Sequence, residues 1–217
     1  MRNGKKEIIV CRDINTFQGP VHAIRNVSIS INWGITCFVG PNGAGKTTLL
    51  KSIIGLLKVT SGNIFFEGKD ITNMSTNKIV RLGIGYVPED RRIYPDLTVE
   101  ENMMLGRWNQ KQNRQEILDR MYSLFPQLKD LTHSFGSNLS GGEQSMLAIA
   151  RTMVLEPRCL LLDEPLEGLS PAIRKRLTEG IIALKNTGLT TITTASDMSY
   201  VPEIADVIYT IERGEIM

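Results

Sequence analysis

The chain has 217 residues, of which 41% are hydrophobic and 22% charged, and its formal net charge is +2 at pH 7. This composition is typical of a soluble globular protein with a substantial core. The near-neutral charge gives no support for binding to nucleic acid or to an anionic lipid surface. No apolar run is long enough to span a bilayer, so we expect a protein that is soluble and cytoplasmic by itself.

The first seventy residues predict short strands joined by turns. Residues 8–11 are apolar and predict a first strand, while residues 27–32 alternate between apolar and polar side chains. That alternation is typical of a half-buried antiparallel strand. Ser61 and Gly62 predict a turn, followed by a further strand at residues 63–67. Together these segments predict an antiparallel β-layer.

A glycine-rich loop at residues 40–48 reads GPNGAGKTT and fits the G-x-x-x-x-G-K-[ST] pattern of a phosphate-binding P-loop. It follows an apolar strand at 35–39 and precedes a helix predicted at 48–57, which is the context that the motif requires. The glycines let backbone N–H groups turn toward phosphate oxygens at the N-terminus of the helix. Lys46 would supply charge for the β- and γ-phosphates, and the Thr47 hydroxyl would be a ligand for Mg²⁺. An ordinary glycine turn with a chance lysine is the less favoured alternative.

All nine loop residues are therefore predicted to contact the nucleotide. They are Gly40, Pro41, Asn42, Gly43, Ala44, Gly45, Lys46, Thr47 and Thr48.

The middle of the chain differs in character from what precedes it. After a strand predicted at 84–87, residues 89–155 contain no convincing buried strand and predict helices joined by polar loops. Thr98 and Glu101 have the spacing of a capping box, which opens one helix. Residues 117–125 carry the apolar face of another helix.

The hexapeptide LSGGEQ at residues 139–144 is the next informative segment. Ser140 and Glu143 again have capping-box spacing. Gly141 and Gly142 are poor helix formers in a first turn, but they would let a ligand approach bare backbone. The alternative is a plain serine cap. Because the P-loop already accounts for the phosphates of one nucleotide, we predict that these four residues contact another nucleotide.

Two carboxylates follow an apolar strand at residues 159–162. Ligands in open α/β sheets bind at the carboxyl ends of the strands, which is where Asp163 and Glu164 stand. We predict that Asp163 holds Mg²⁺ and that Glu164 orients or deprotonates an attacking water. An exposed acidic turn is the alternative. The remaining pattern is a helix at 171–185 and strands at 190–194 and 207–211.

These elements predict an α/β fold: a P-loop NTPase core with an antiparallel β-layer and an inserted helical subdomain. We expect a single domain over residues 1–217, with the core in 1–88 and 156–217 and the helical subdomain in 89–155.

In this order, the P-loop, LSGGEQ and LLLDEP resemble the ATP-binding cassette (ABC) ATPase family over nearly the whole chain. Within that family, YVPEDRRIYP at 86–95 and LTVEEN at 97–102 are similar to the cassettes of branched-chain (hydrophobic) amino-acid uptake systems. The resemblance implies an ATP-hydrolysing transporter subunit that uses ATP and Mg²⁺. It also implies that two cassettes pair head to tail, so that Ser140 and Gly142 would contact the γ-phosphate held by the partner's P-loop.

The implied partners are a second cassette, identical or different, separate membrane permease subunits and a substrate-binding protein, with no nucleic acid. The helical subdomain would meet the permeases, which would hold the chain at the inner face of the cell membrane.

Four positions depart from the usual pattern of the family. Glu89 stands where most cassettes have the Q-loop glutamine, and the resemblance implies that it serves Mg²⁺ or water. Phe17 is the aromatic residue near the place of the tyrosine that stacks on adenine. Ser170 replaces the usual D-loop aspartate, and Ser196 replaces the switch histidine that contacts the γ-phosphate.

We take Ser196 as a catalytic residue beside Glu164. Serine can form hydrogen bonds with phosphate or water but cannot carry the charge of histidine. Two alternatives remain open: an ABC ATPase not linked to transport, and a cassette that binds ATP, hydrolyses it poorly and pairs with a more active one.

Overall fold

A computed structural model of the protein describes residues 7–107 and 113–217. The first layer of the fold is an antiparallel sheet. Its strands lie in the order β2-β1-β4-β5. Their bounds are β1 (Ile9–Gln18), β2 (Val21–Ile31), β4 (Val59–Phe66) and β5 (Lys69–Asp70). Ile9 pairs with Ile31 on one side and with Phe66 on the other, and all three side chains are buried. The predicted antiparallel layer is confirmed.

The second layer is a six-stranded sheet in the order β10-β9-β3-β8-β7-β6, parallel except at β10. Parallel strands covered on both faces are apolar along their whole length, and every residue of β3 and β7 is buried. The strands are β3 (Ile35–Val39), β6 (Ile84–Val87), β7 (Cys159–Leu162), β8 (Thr190–Ala195), β9 (Val207–Glu212) and β10 (Glu215–Ile216).

A helix lies at each position where the sequence predicted one, and further short helices are present. They are α1 (Lys46–Ile53), α2 (Thr76–Arg81), α3 (Val99–Met104), α4 (Arg114–Leu124), α5 (Gln127–Asp130), α6 (Gly141–Met153), α7 (Pro171–Asn186) and α8 (Val201–Ile204). Both capping boxes are present. The Thr98 N–H donates to Glu101 Oε2 at 2.8 Å, and the Ser140 N–H donates to Glu143 Oε2 at 2.7 Å.

The parallel sheet separates two apolar cores, because its side chains alternate between its faces. On one face Phe38 and Leu161 pack with α1 and the antiparallel layer. On the other face Cys37 and Leu162 pack with residues from α3, α4, α6 and α7. The helical segment therefore shares its core with the sheet instead of enclosing one of its own.

The turn predicted at Ser61 and Gly62 is wrong, because β4 continues through both residues. Gly62 has φ +84°, and a Cβ there would lie 2.4 Å from the Arg12 carbonyl oxygen. The pairing with β1 shifts register between Arg12 and Asn15 at this point. The glycine therefore marks a β-bulge inside a strand, which local sequence does not distinguish from a turn.

The cysteines are packing residues. Cys11, Cys37 and Cys159 are all buried, and none forms a disulfide. Burial raises the pKa of Cys11 and of Cys37 to about 12, so these thiols stay protonated and unreactive at neutral pH. Among the described residues, no helix is both long and apolar enough to cross a membrane.

The contact between α7 and the helical segment gives a stability prediction. A Cβ added at Gly180 would lie 2.5 Å from Cε1 of Phe125, whose side chain is fully buried. Overpacking of this kind costs about 1–3 kcal/mol and outweighs a helix-propensity gain of about 1 kcal/mol. We expect Gly180→Ala to lower the free energy of unfolding in urea, and Phe125→Leu in the same chain to recover part of the loss. An unchanged or higher stability of Gly180→Ala would contradict the packing observed here.

Candidate active site

The P-loop joins the end of β3 to the start of α1, which begins at Lys46. Gly43 and Gly45 have φ of +80° and +113°, a region that a Cβ disfavours. Gly40 is required for a different reason, because a Cβ there would lie 2.1 Å from the carbonyl oxygen of Ile211. The loop therefore has the tight backbone that exposes N–H groups at a helix N-terminus, and this backbone fits a phosphate group.

Lys46 is the charged residue at the centre of the loop, and only 3% of it is exposed. Its Nζ donates to the carbonyl oxygens of Gly40 at 2.6 Å and Pro41 at 3.0 Å. The same atom lies 3.1 Å from Glu164 Oε1. The structure thus brings the predicted phosphate-binding cation and the predicted base into direct contact.

The Asp163 carboxylate receives hydrogen bonds from three elements. Thr47 Oγ1, in the first turn of α1, donates to Oδ1 at 3.0 Å. Thr194 Oγ1, on β8, donates to the same oxygen at 3.0 Å, and the Tyr86 hydroxyl, on β6, donates to Oδ2 at 3.1 Å. Burial, followed by the charge of Asp163, raises the pKa of Tyr86 above its ordinary value, so the phenol remains a donor.

The same oxygens suit a magnesium ion. Mg²⁺ is usually bound through one or two carboxylates together with substrate phosphates and water. Thr47 and Asp163 offer one hydroxyl and one carboxylate beside the P-loop. No group of three or more His, Cys, Asp and Glu side chains that could hold a metal ion converges anywhere in the described part of the chain, so a bound Mg²⁺ would rely on phosphate and water for its other ligands.

Glu164 follows Asp163 with φ +46°, a backbone conformation that a non-glycine residue adopts at a cost of about 1–3 kcal/mol. Its N–H donates to Thr194 Oγ1 at 2.8 Å, which fixes the turn to β8. Burial raises the pKa of the Glu164 carboxyl, Lys46 lowers it, and the charges of Glu89 and Glu167 raise it further. A raised pKa makes this carboxylate a better proton acceptor.

A cleft of about 620 Å³ opens over the P-loop and is large enough for a nucleotide. The residues that line it include Lys46, Thr47, Glu89 and Glu164. Glu89 also lines a neighbouring groove of about 850 Å³, together with Thr47 and Asp163. The predicted metal residues are therefore gathered in one region, with Glu89 between the two depressions.

Phe17 is 43% exposed and stacks on His22, with ring centroids 4.3 Å apart and planes 5° apart. Of these two rings, His22 lines the cleft. His22 Nε2 lies 2.9 Å from Asn15 Oδ1, which also accepts the Asn26 N–H at 3.1 Å. Since the amide oxygen is an acceptor, Nε2 carries the proton in this contact. His22 is a residue that sequence reasoning missed.

Four residues of the LSGGEQ segment lie at the start of α6: Ser140, Gly141, Gly142 and Glu143. None of them is among the described residues that line the P-loop cleft. The Glu143 N–H donates to Ser140 Oγ at 3.4 Å and the Ser140 N–H donates to Glu143 Oε2 at 2.7 Å, which confirms the predicted cap. A Cβ at Gly142 would lie 2.0 Å from Ile173 Cγ2, and one at Gly141 would lie 3.0 Å from an Arg91 nitrogen. Internal packing therefore requires Gly142 independently of any ligand.

Ser196 follows the end of β8 and donates its hydroxyl to Glu167 Oε2 at 2.8 Å. The preceding carbonyl, of Ala195, accepts the Gly40 N–H at 3.2 Å. The segment that carries Ser196 thus touches the first residue of the P-loop.

Tyr86 and Thr194 are further site residues that the sequence alone did not reveal. Both stand near the carboxyl ends of strands that flank β7, so they could have been found from the strand order. Their own sequence context carries no signal.

Comparison with known proteins shows the family of the chain. A family model described as ABC transporter matches residues 24–167. The high-affinity branched-chain amino acid transport ATP-binding protein BraG of Pseudomonas aeruginosa is 37% identical over 206 residues, which cover 94% of this chain and 88% of that protein. Other relatives are named for import of sulfate or thiosulfate, xylose or arabinose, and spermidine or putrescine.

Solved structures give the same result. The ADP conformation of MJ1267, an ATP-binding cassette of an ABC transporter, has a TM-score of 0.85 and 28% identity, covering 97% of this chain and 89% of that one. The chain cbiO1 from Clostridium perfringens, part of the ABC transporter complex cbiONQ, has a TM-score of 0.85 and 26% identity, covering 98% and 87%. This chain therefore belongs to the ABC transporter family, as an ATP-binding and ATP-hydrolysing subunit that resembles the branched-chain amino-acid cassettes.

Proposed function

We propose that this subunit energises the uptake of branched-chain or other hydrophobic amino acids through separate membrane permeases. The observation that carries the ATPase part is the convergence of Lys46, Thr47, Asp163 and Glu164 at one sheet edge. The amino-acid part is supported by the relationship to BraG and by the segment at residues 86–102.

We assign the phosphates of ATP to the P-loop, through the backbone of residues 40–48 and the Lys46 charge. Thr47 and Asp163 would hold Mg²⁺, which when bound would neutralise charge on the phosphates. Glu89, which lines the cleft, would contact this ion or its water. The adenine would stack at the other end of the cleft, where Phe17 and His22 form their ring pair.

Glu164 would take the proton of the attacking water. Three features support this role: its contact with Lys46, its raised pKa and the hydrogen bond from its N–H to Thr194. Each feature restricts where the carboxylate can lie, and a base must lie within hydrogen-bond reach of the proton that it removes.

ATP-binding subunits of this family dimerise and pair with membrane permeases. For this chain we propose that Ser140, Gly141, Gly142 and Glu143 face the nucleotide on the partner's P-loop. The N-terminus of α6 carries a partial positive charge that suits such a contact.

The permeases would dock on the helical subdomain, for which we propose the bounds 89–155. The groove of about 850 Å³ lies along its junction with the core. Leu56, Tyr94, Leu105 and Leu155 line this groove and are 39–54% exposed, and clustered exposed apolar side chains mark protein-binding surfaces. Such docking would place the chain at the cytoplasmic face of the membrane, with a substrate-binding protein completing the system.

Replacement of Glu164 by Gln tests the role of the base. The amide keeps the shape of the side chain but cannot accept the proton, so we expect hydrolysis to fall about 100-fold or more while ATP still binds. Size-exclusion chromatography with ATP should then show an accumulated dimer. The matched control is Glu179→Gln, an exposed carboxylate on α7, which should keep normal turnover. Unchanged hydrolysis in Glu164→Gln would remove this residue from catalysis.

Replacement of Lys46 by Ala tests the phosphate site. Loss of a charge-assisted contact should weaken binding of ADP about 10- to 100-fold in calorimetry. Lys78→Ala, an exposed lysine on α2 that does not line the cleft, should leave the ADP affinity unchanged, and thermal unfolding will establish that both variants are folded. Normal ADP affinity in Lys46→Ala would contradict the assigned site.

Uptake by cells tests the proposed substrate. We expect labelled leucine uptake to be lost when the chain is removed and restored by the native sequence but not by Glu164→Gln. Sulfate and spermidine uptake measured in the same cells are the controls. Loss of one of these, with leucine uptake intact, would overturn the amino-acid assignment. Permease chains should co-purify with the subunit from detergent-solubilised membranes.

A further inference from the structure

Strand β8 determines where Ser196 lies relative to the proposed base, Glu164, because Ser196 directly follows this strand. Thr194, near the end of this strand, bonds both to Asp163 and to the Glu164 N–H. Side chains two residues apart in an extended segment point to the same side. Ser196 is the first residue after the strand, so it lies one step beyond Thr194 in the direction of the P-loop, which the Ala195 carbonyl contacts.

Glu167, which accepts the hydrogen bond of Ser196, also contacts the proposed base, Glu164. Glu167 Oε2 accepts the Ser196 hydroxyl at 2.8 Å, and the Glu167 N–H donates to the Glu164 carbonyl oxygen at 3.2 Å. The Glu167 carboxylate is also close enough for its charge to raise the pKa of Glu164. Glu164, Glu167 and Ser196 therefore form one connected group at the carboxyl ends of β7 and β8.

The direction of the hydrogen bond decides what Ser196 can do. A hydroxyl has one proton, and a carboxylate is an acceptor only. While Ser196 donates to Glu167, its Oγ keeps lone pairs that can accept another hydrogen bond, but it cannot also donate to a phosphate oxygen. A water molecule, in contrast, has two protons to donate. It can give one to the Glu164 carboxylate and the other to Ser196 Oγ, which leaves an oxygen lone pair directed at its target.

We propose that Glu167 is a positioning residue that holds the Ser196 hydroxyl, so that Ser196 Oγ and Glu164 together orient the attacking water. This inference rests on the ATPase function proposed above and adds Glu167 to it. In the reaction the water oxygen forms a bond to the γ-phosphorus, the bond from phosphorus to the bridging oxygen breaks, and that oxygen keeps the electron pair. The water proton passes to Glu164, while Ser196 and Glu167 keep their protonation states.

The opposite role for Ser196, as a donor to the γ-phosphate, makes the opposite prediction for Glu167. In that case the carboxylate would compete with the phosphate for the serine proton, and its removal would raise the rate or the ATP affinity. With a water-orienting pair, removal of the carboxylate lowers the rate and leaves the affinity unchanged.

The test is single-turnover hydrolysis of ATP by the purified full chain, with ATP affinity measured separately. We expect Ser196→Ala and Glu167→Ala each to lower the rate about tenfold, the loss that corresponds to one hydrogen bond in the transition state. Glu167→Gln keeps an acceptor oxygen and should lose less. Ser196→Thr keeps the hydroxyl and should therefore retain most of the native rate. The double variant should be no slower than either single variant, because both act through one pair.

Ser199→Ala is the matched control, since Ser199 Oγ donates to Asp197 Oδ2 at 2.7 Å in the following turn. It should have normal turnover. A faster rate or tighter ATP binding in Glu167→Ala would overturn the proposal in favour of the phosphate-donor role, and normal rates in both single variants would exclude any such pair. If Glu164→Gln also had normal turnover, the proposed ATPase site itself would be wrong.

Discussion

The active site depends on one buried carboxylate. Asp163 is 2% exposed, and its two oxygens accept hydrogen bonds from Thr47, Thr194 and Tyr86. An ionised carboxylate in such a place is stable only when donors replace the water that it has lost. Here the donors come from α1, β8 and β6. The need of this one carboxylate for hydrogen-bond donors therefore holds α1 against the edge of the sheet. Thr194 extends the network by accepting the N–H of Glu164.

The neighbouring ion pair connects phosphate binding with catalysis. Lys46 contacts two carbonyl oxygens of its own loop and the Glu164 carboxylate. A buried pair of this kind contributes little net stability, because desolvation offsets the attraction between the charges. Its value is geometric, since it defines the positions of both groups. The strained backbone at Glu164 is consistent with a position selected for chemistry at some cost in stability.

Packing explains features that motif chemistry alone would assign to a ligand. Gly142 is required by its contact with Ile173 on α7, whatever its backbone contacts in a dimer. Its neighbour Ser140 is engaged in the capping box with Glu143. The start of α6 is therefore rigid before a second subunit arrives. The apolar core that continues from β3 to α4, α6 and α7 joins this helix end to the sheet that carries the P-loop.

The sequence by itself determined the local elements and the residues with phosphate and acid chemistry. Strands β3, β6 and β7 have the predicted bounds, and both capping boxes are present, because periodicity, glycine and cap chemistry act over a few residues. The tertiary structure alone decided which distant side chains meet. Thr194 and Tyr86 bind Asp163 across 31 and 77 residues of chain, and Ser196 meets Glu167 across 29. These contacts follow from the order of strands in the sheet, which depends on the packing of two cores and not on any short pattern.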